Sequence, residues 1–90
     1  MSYMYVLINK RTGRLYVGFS GNLRQRVRSH QTDDADWELA YYEAYASQAE
    51  ARQRERDLKH YGSAWGHLKR RISVSLDLRK GGRSFELKPR

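Results

Sequence analysis

Five side chains in this chain of 90 residues are of types that act on phosphate esters: Tyr5, Tyr16, Arg26, His30 and Glu55. An arginine offers phosphate oxygens a planar fork of donors and never loses its charge. A phenol or an imidazole can orient a water or pass a proton, and a carboxylate can hold a hard divalent cation. Arg26 and His30 stand four apart, the spacing that brings two side chains to one face of a helix, and Tyr16 precedes them on an apolar stretch. A phenol, a guanidinium and an imidazole on one patch suit a phosphate better than they suit a core.

The elements that must position these groups can be read from periodicity. Residues 3–8 are a continuous aromatic and β-branched run, hence a buried strand; residues 9–13 form a turn and residues 14–19 a return strand, giving an antiparallel hairpin that sets Tyr5 and Tyr16 within reach of each other. Asn22 caps a first helix over residues 23–30, with Leu23 and Val27 as core contacts and Arg24 and Arg28 outward. An acidic loop at residues 32–36 ends it. Residues 37–45 read as a third strand rich in aromatics, with Glu38 and Glu43 marking a wet face or edge.

Ser47 with Glu50 three positions on is a capping-box pattern, and it opens a second helix that continues through Lys59 until Gly62 stops it. Ala51, Leu58 and Gly62 share one stripe of that helix, and Glu55 falls on the same stripe. A carboxylate there is costly unless it is paired or bound to a metal. Residues 63–75 read as a third helix or an irregular one, with Trp65, Leu68 and Ile72 inward and Lys69, Arg70 and Arg71 outward. Residues 76–78 close the fold, which makes residues 1–78 the domain, and residues 79–90, basic and glycine-paired, are expected to be a mobile arm.

Composition narrows the partners. The formal net charge is +8, with 18 Lys and Arg against 10 Asp and Glu, and it is uneven: residues 1–46 carry a net +1 and residues 47–90 a net +7. Nucleic acid is therefore the first partner to consider, with the second half as the surface that tracks its backbone. The chain has no cysteine, so thiolate zinc and disulfide frameworks are excluded and a reducing cytoplasm is a compatible location. The opening apolar run is too short for a secretory signal and nothing is long enough to span a membrane, so no membrane partner is expected.

Taken singly, each of the five residues has a structural explanation. A strand tyrosine is usually a core aromatic with its hydroxyl at the rim. Arg26 can be one more solvated cation beside Arg24 and Arg28, and His30 a favourable cation at a helix C-terminus. Glu55 can pair with Lys59, four residues on. Together these explanations need five independent coincidences.

The series resembles the GIY-YIG nuclease domain, and in pattern its small stand-alone members: YMY at residues 3–5 stands where the first motif would be, YVG at residues 16–18 matches the second, and NLRQR with His30 and then RERDLK around Glu55 follow at fitting distances. The resemblance covers roughly residues 3–75. It implies an α+β fold, a small three-stranded antiparallel sheet flanked by helices, which agrees with the order strand, strand, helix, strand, helix, helix. It also implies metal-assisted hydrolysis of phosphodiesters, with Tyr5 and Tyr16 as the motif tyrosines, Arg26 as the catalytic arginine, His30 as its helical companion and Glu55 as the metal carboxylate.

Three positions depart from the pattern. Tyr3 stands in place of glycine in the first motif, Phe19 stands where some relatives have lysine after the second, and no asparagine follows Asn22. The expected activity is correspondingly weak. In the expected chemistry Glu55 holds Mg²⁺, or Mn²⁺ in its place, and Arg26 grips the scissile phosphate, while Tyr5 serves as base or water-positioning group with Tyr16 beside it. Arg24, Arg28, Arg52, Lys69, Arg70 and Arg71 are the expected nucleic-acid contacts. The leading expectation is a DNA endonuclease of low sequence specificity, repair being a process such an enzyme can serve, with DNA favoured over RNA. The alternatives are a binding module on the same fold that does not cut, and a protein-interaction domain whose basic face meets an acidic partner.

Overall fold

The first apolar run lacks polar alternation because it becomes a middle strand, covered on both faces. The computed structural model describes the backbone of residues 1–80 and the side chains of residues 1–76. Strand β1 (Ser2–Asn9) lies between β2 (Leu15–Ser20) and β3 (Trp37–Tyr45), antiparallel to both. Along β1, Met4, Val6 and Ile8 face one way and join Leu58, Trp65 and Leu68 in the main hydrophobic core. Tyr5 and Leu7, also buried, face the other way.

The hairpin turn is set by Asn9 and Gly13. The Asn9 side-chain oxygen accepts from the backbone N–H groups of Arg11 and Thr12, and its amide donates to Asp34. Gly13 closes the turn at φ 77°, a left-handed conformation that suits glycine. Arg11 reaches Asp34 and Asp36, so the turn is tied to the loop ahead of β3.

Helix α1 (Leu23–Asp33) begins as the sequence predicts, with the Asn22 side chain accepting from the Gln25 N–H, but it extends to Asp33, one turn past the expected end. It buries no residue. Leu23 and Val27 are only half-buried and are not core contacts: α1 rests on the Tyr5 face of the sheet, away from the apolar cluster on the other face.

Helix α2 (Gln48–His60) is capped by Ser47, whose hydroxyl accepts from the Glu50 N–H and donates to the Glu50 carboxylate, and it buries Ala51 and Leu58. Tyr61 ends it, in an extended conformation, and Gly62 instead opens α3 (Gly62–Arg71). Of the readings for residues 63–75, a regular helix or an irregular one, the structure has the irregular course, as two helices: the chain leaves helical geometry at Ile72 and resumes as α4 (Ser73–Lys80). The break lets Ile72 and Leu76 both reach the core. Arg79 and Lys80 are still helical, and the rest of the expected arm lies outside the described residues. No helix among the described residues is long and apolar enough to cross a membrane.

Glu43 does not mark a wet edge. Alternation along β3 turns it inward with Tyr41 and Tyr45, whose hydroxyls both donate to its carboxylate, and Arg54 of α2 completes the pair at 3.0 Å. Burial alone would raise the Glu43 pKa, but hydrogen bonds from Arg54, Tyr45 and Tyr41 outweigh it and hold the carboxyl below its ordinary 4.5. Glu43→Ala is therefore expected to cost about 2–3 kcal/mol at neutral pH. Because the folded-state pKa is depressed, this stabilisation is present above the ordinary value and lost as pH falls through the folded one. Urea unfolding at pH 7 and at pH 3 should show the difference between variant and parent shrink in acid; a gap independent of pH would mean that the carboxylate charge contributes nothing.

Candidate active site

Pairing of β1 with β2 sets Tyr5 opposite Gly18, and Tyr16, two residues earlier on β2, lands on the same face. The two rings lie 6.2 Å apart, centroid to centroid. Helix α1 then lays His30 over both: its Nε2 is 3.2 Å from the Tyr5 hydroxyl, and its ring centroid is 4.7 Å from that of Tyr16. One turn earlier on the same helix, exposed Arg26 turns toward the same place. Glu55 arrives from α2.

These groups meet in a cleft of about 380 Å³ lined by Tyr5, Tyr16, Gly18, Arg26, Gln48 and Glu55, among others. The structure thus brings together four of the five predicted residues at the cleft, with His30 behind the tyrosines. Arg24 and Arg28 lie on α1 outside it, along a neighbouring groove. Arg52 is exposed on α2, where it and Arg56 share a shallow depression with Gln48, a residue that also lines the cleft. Lys69, Arg70 and Arg71 are carried on α3, and none of them lines the cleft.

The environment of Tyr5 differs from that of a base. Tyr5 is 1% exposed, and its pKa is pushed far up, chiefly by burial and then by neighbouring Tyr16, with Arg26 pulling the other way and Glu55 adding to the rise. Such a phenol keeps its proton, which argues against Tyr5 as the base. His30 is pulled down, first by burial and then by the Arg26 charge, against a smaller opposing effect of Asp33. It is neutral near pH 7 and joins Tyr5 as a hydrogen-bonding partner rather than a cation.

Glu55 is paired, as its position on the inward stripe requires: Lys59 Nζ lies 2.7 Å from one carboxylate oxygen and 5.7 Å from the centre of the Tyr16 ring. Both side chains are largely covered, at 23% exposure for Lys59 and 14% for Glu55. No group of three or more His, Cys, Asp or Glu able to hold a metal occurs among the described residues. The donor set at the cleft is therefore one carboxylate, which fits a cation that keeps most of its waters and takes phosphate oxygens as its remaining ligands; Mg²⁺ is of that kind. A fully caged calcium or zinc is not.

A family model of the GIY-YIG catalytic domain matches residues 1–69. The chain belongs to the GIY-YIG family. Its members are endonucleases, which makes this a nuclease domain with nucleic acid as its substrate class. No curated protein and no solved structure matches the chain significantly.

In this GIY-YIG domain the glycine of YVG has a steric reason. A Cβ at Gly18 would stand 2.6 Å from the Tyr5 hydroxyl and 2.9 Å from the Tyr16 ring. The two motifs thus interlock: the tyrosine of one fills the space that the glycine of the other leaves. The triplet alone does not reveal this role of Gly18, and no local pattern points to Gln48 at the cleft or to the Glu43–Arg54 pair, which fixes the turn of α2 next to Glu55. Gly18→Ala is expected to push the Tyr5 ring off His30, costing about 1–3 kcal/mol of stability and on the order of tenfold in cleavage. Unfolding curves and nicking rates measured together check this. A variant as stable and as fast as the parent would sink the steric account.

Proposed function

We propose that the domain is a divalent-cation-dependent endonuclease that hydrolyses DNA phosphodiester bonds with little sequence preference. The observation that carries this reading is the convergence of Arg26, Tyr16 and Glu55 on one polar cleft from three separate elements. Arg26 holds the scissile phosphate through its fork of donors, with its charge aimed at the oxygens where negative charge grows. Glu55 is the residue that would hold the cation, which when bound supplies charge stabilisation at the leaving oxygen. Tyr16, the less buried of the two phenols, presents its hydroxyl to the attacking water, and buried Tyr5 with half-buried His30 fixes the Tyr16 ring from behind.

Nothing among these groups reads a base edge. Contacts of this kind position a backbone without selecting sequence, hence the low specificity. Arg52 and Arg56, beside Gln48 on α2, extend the cationic path away from the cleft and belong to the salt-dependent part of binding. One observation favours a second reading: Lys59 already compensates Glu55, as it would in a module that binds phosphate without cutting it.

A single assay separates the two. Purified protein is incubated with supercoiled plasmid, and in parallel with a folded RNA, in Mg²⁺, in Mn²⁺ and in EDTA. Conversion of plasmid to nicked circles with either ion and none in EDTA is the expected result. Intact plasmid under all three conditions, with salt-dependent binding retained, would leave the binding module in place of the nuclease.

A further inference from the structure

A second hollow, larger than the cleft, lies beside it. A groove of about 600 Å³ runs along the other side of α1, between that helix and Tyr3 of β1 with Leu39 and Tyr42 of β3. Its floor and walls include Tyr3, Leu23, Val27, Leu39 and Tyr42, and Arg24 and Arg28 are among the residues that line it. The groove meets the cleft at Gly21, which lines both. Helix α1 is therefore a ridge, with Arg26 on the cleft side and Leu23 and Val27 on the groove side.

Three features of the groove stay unused by the hydrolytic cleft. Helix α1 buries none of its residues, so its apolar positions have no complete partner. Tyr42 is 51% exposed, a large aromatic left open to water. Its ring packs against Tyr3 with centroids 6.0 Å apart and planes 67° to each other, and half of it remains open to water. An aromatic face beside two guanidinium groups is complementary to one kind of partner above others: a flat heterocycle carried on a phosphate chain. Bases stack on such rings whatever their sequence, while arginines hold the phosphates on either side.

We propose that this groove takes an unstacked nucleobase of the substrate strand, close to the phosphate that lies in the cleft. The inference rests on the reading of the cleft as a phosphodiester site, since the shared wall at Gly21 makes one strand span both. It deepens that reading by naming the substrate class: DNA with unpaired nucleotides at or next to the cut, such as a single strand, a flap or a branch, in preference to a continuous duplex. A base still paired and stacked cannot enter a groove on the far side of a helix from its own phosphate.

The test measures binding in EDTA, where no cutting occurs. Fluorescence anisotropy is recorded for a labelled oligothymidylate about a dozen nucleotides long, for a duplex of equal length, and for an abasic chain with the same phosphates and no bases. Wild-type protein is expected to bind the oligothymidylate about tenfold more tightly than the abasic chain. Tyr42→Ala should erase that difference, Tyr42→Phe should keep it, and duplex binding should change little in either. The proposal is overturned by equal affinity of the wild type for thymidylate and abasic chains, by a preference that survives Tyr42→Ala, or by no oligonucleotide binding at all. It is also overturned if sedimentation shows self-association that Tyr42→Ala abolishes while base preference is absent, which would make the groove an interface between copies. Plasmid nicking with no base effect sinks the groove alone; a base effect without nicking sinks hydrolysis alone.

Discussion

Glu55→Gln is expected to lower plasmid nicking by about a thousandfold or more while leaving DNA binding intact or slightly tighter. The magnitude follows from the several kcal/mol of charge stabilisation that a bound cation contributes to phosphoryl chemistry, each 1.36 kcal/mol being about tenfold in rate. Glutamine keeps the shape of the side chain and removes the charge that would hold the ion. The sign of the binding effect is opposite to that of the rate, because a carboxylate lining a phosphate cleft repels the substrate when no cation stands between them. Because the Glu55–Lys59 pair is largely covered, removing the charge can also cost stability. Unfolding curves of the variant are therefore measured beside its nicking rate, and the rate is read at a temperature where both proteins are folded. Calorimetric titration with Mn²⁺ gives a readout that does not depend on cutting, with heat expected for the parent and none for the variant. If the variant nicks at the parent's rate, Glu55 is a structural partner of Lys59 and the cation has no protein ligand in the cleft.

The framework of the site was legible because its elements are short and strongly periodic. The unbroken run at residues 3–8, the capping chemistry at Asn22 and Ser47, and Glu55 among Ala51 and Leu58 each follow from local rules, and the structure places a middle strand, two capped helices and a largely covered carboxylate there. What was not legible depends on contacts far apart in the chain. Gly18 looks like a turn-prone strand residue until β1 is laid beside β2 and the Tyr5 ring occupies the missing Cβ. The charge of Glu43 suggests a wet position, whereas its period with Tyr41 and Tyr45 turns it inward; the partner Arg54, eleven residues on, carries no local signal. Leu23 and Val27 have the spacing of core contacts, and spacing cannot tell a core from an open groove. The same limit applies to Lys69, Arg70 and Arg71: a cationic run on a helix shows which residues are outward, but not that α3 carries them away from the cleft.

Arg26→Ala is expected to reduce cleavage by about a hundredfold to a thousandfold, the loss that follows removal of a donor aimed at developing charge. Arg26→Lys should recover only a small part of it. A lysine restores the charge but not the planar fork, and a single ammonium cannot hold two phosphate oxygens in the geometry that in-line attack requires. Binding should weaken far less than rate, since Arg24, Arg28 and Arg52 remain to contact the backbone. The arginine also leaves a mark that can be read without substrate. Its charge is one of the causes that lower the His30 pKa, second to burial, so NMR titration should find the imidazole titrating at higher pH in the alanine variant and close to the parent in the lysine variant. With a less depressed pKa, a larger fraction of His30 is protonated in weak acid, and an imidazolium facing the Tyr5 hydroxyl can only donate to it. The alanine variant should therefore lose additional activity as pH is lowered through that titration, where the lysine variant does not. Parallel pH profiles for the two variants, with an unmoved His30 titration, would place the guanidinium out of contact with the histidine and the tyrosines and reduce Arg26 to one more surface cation.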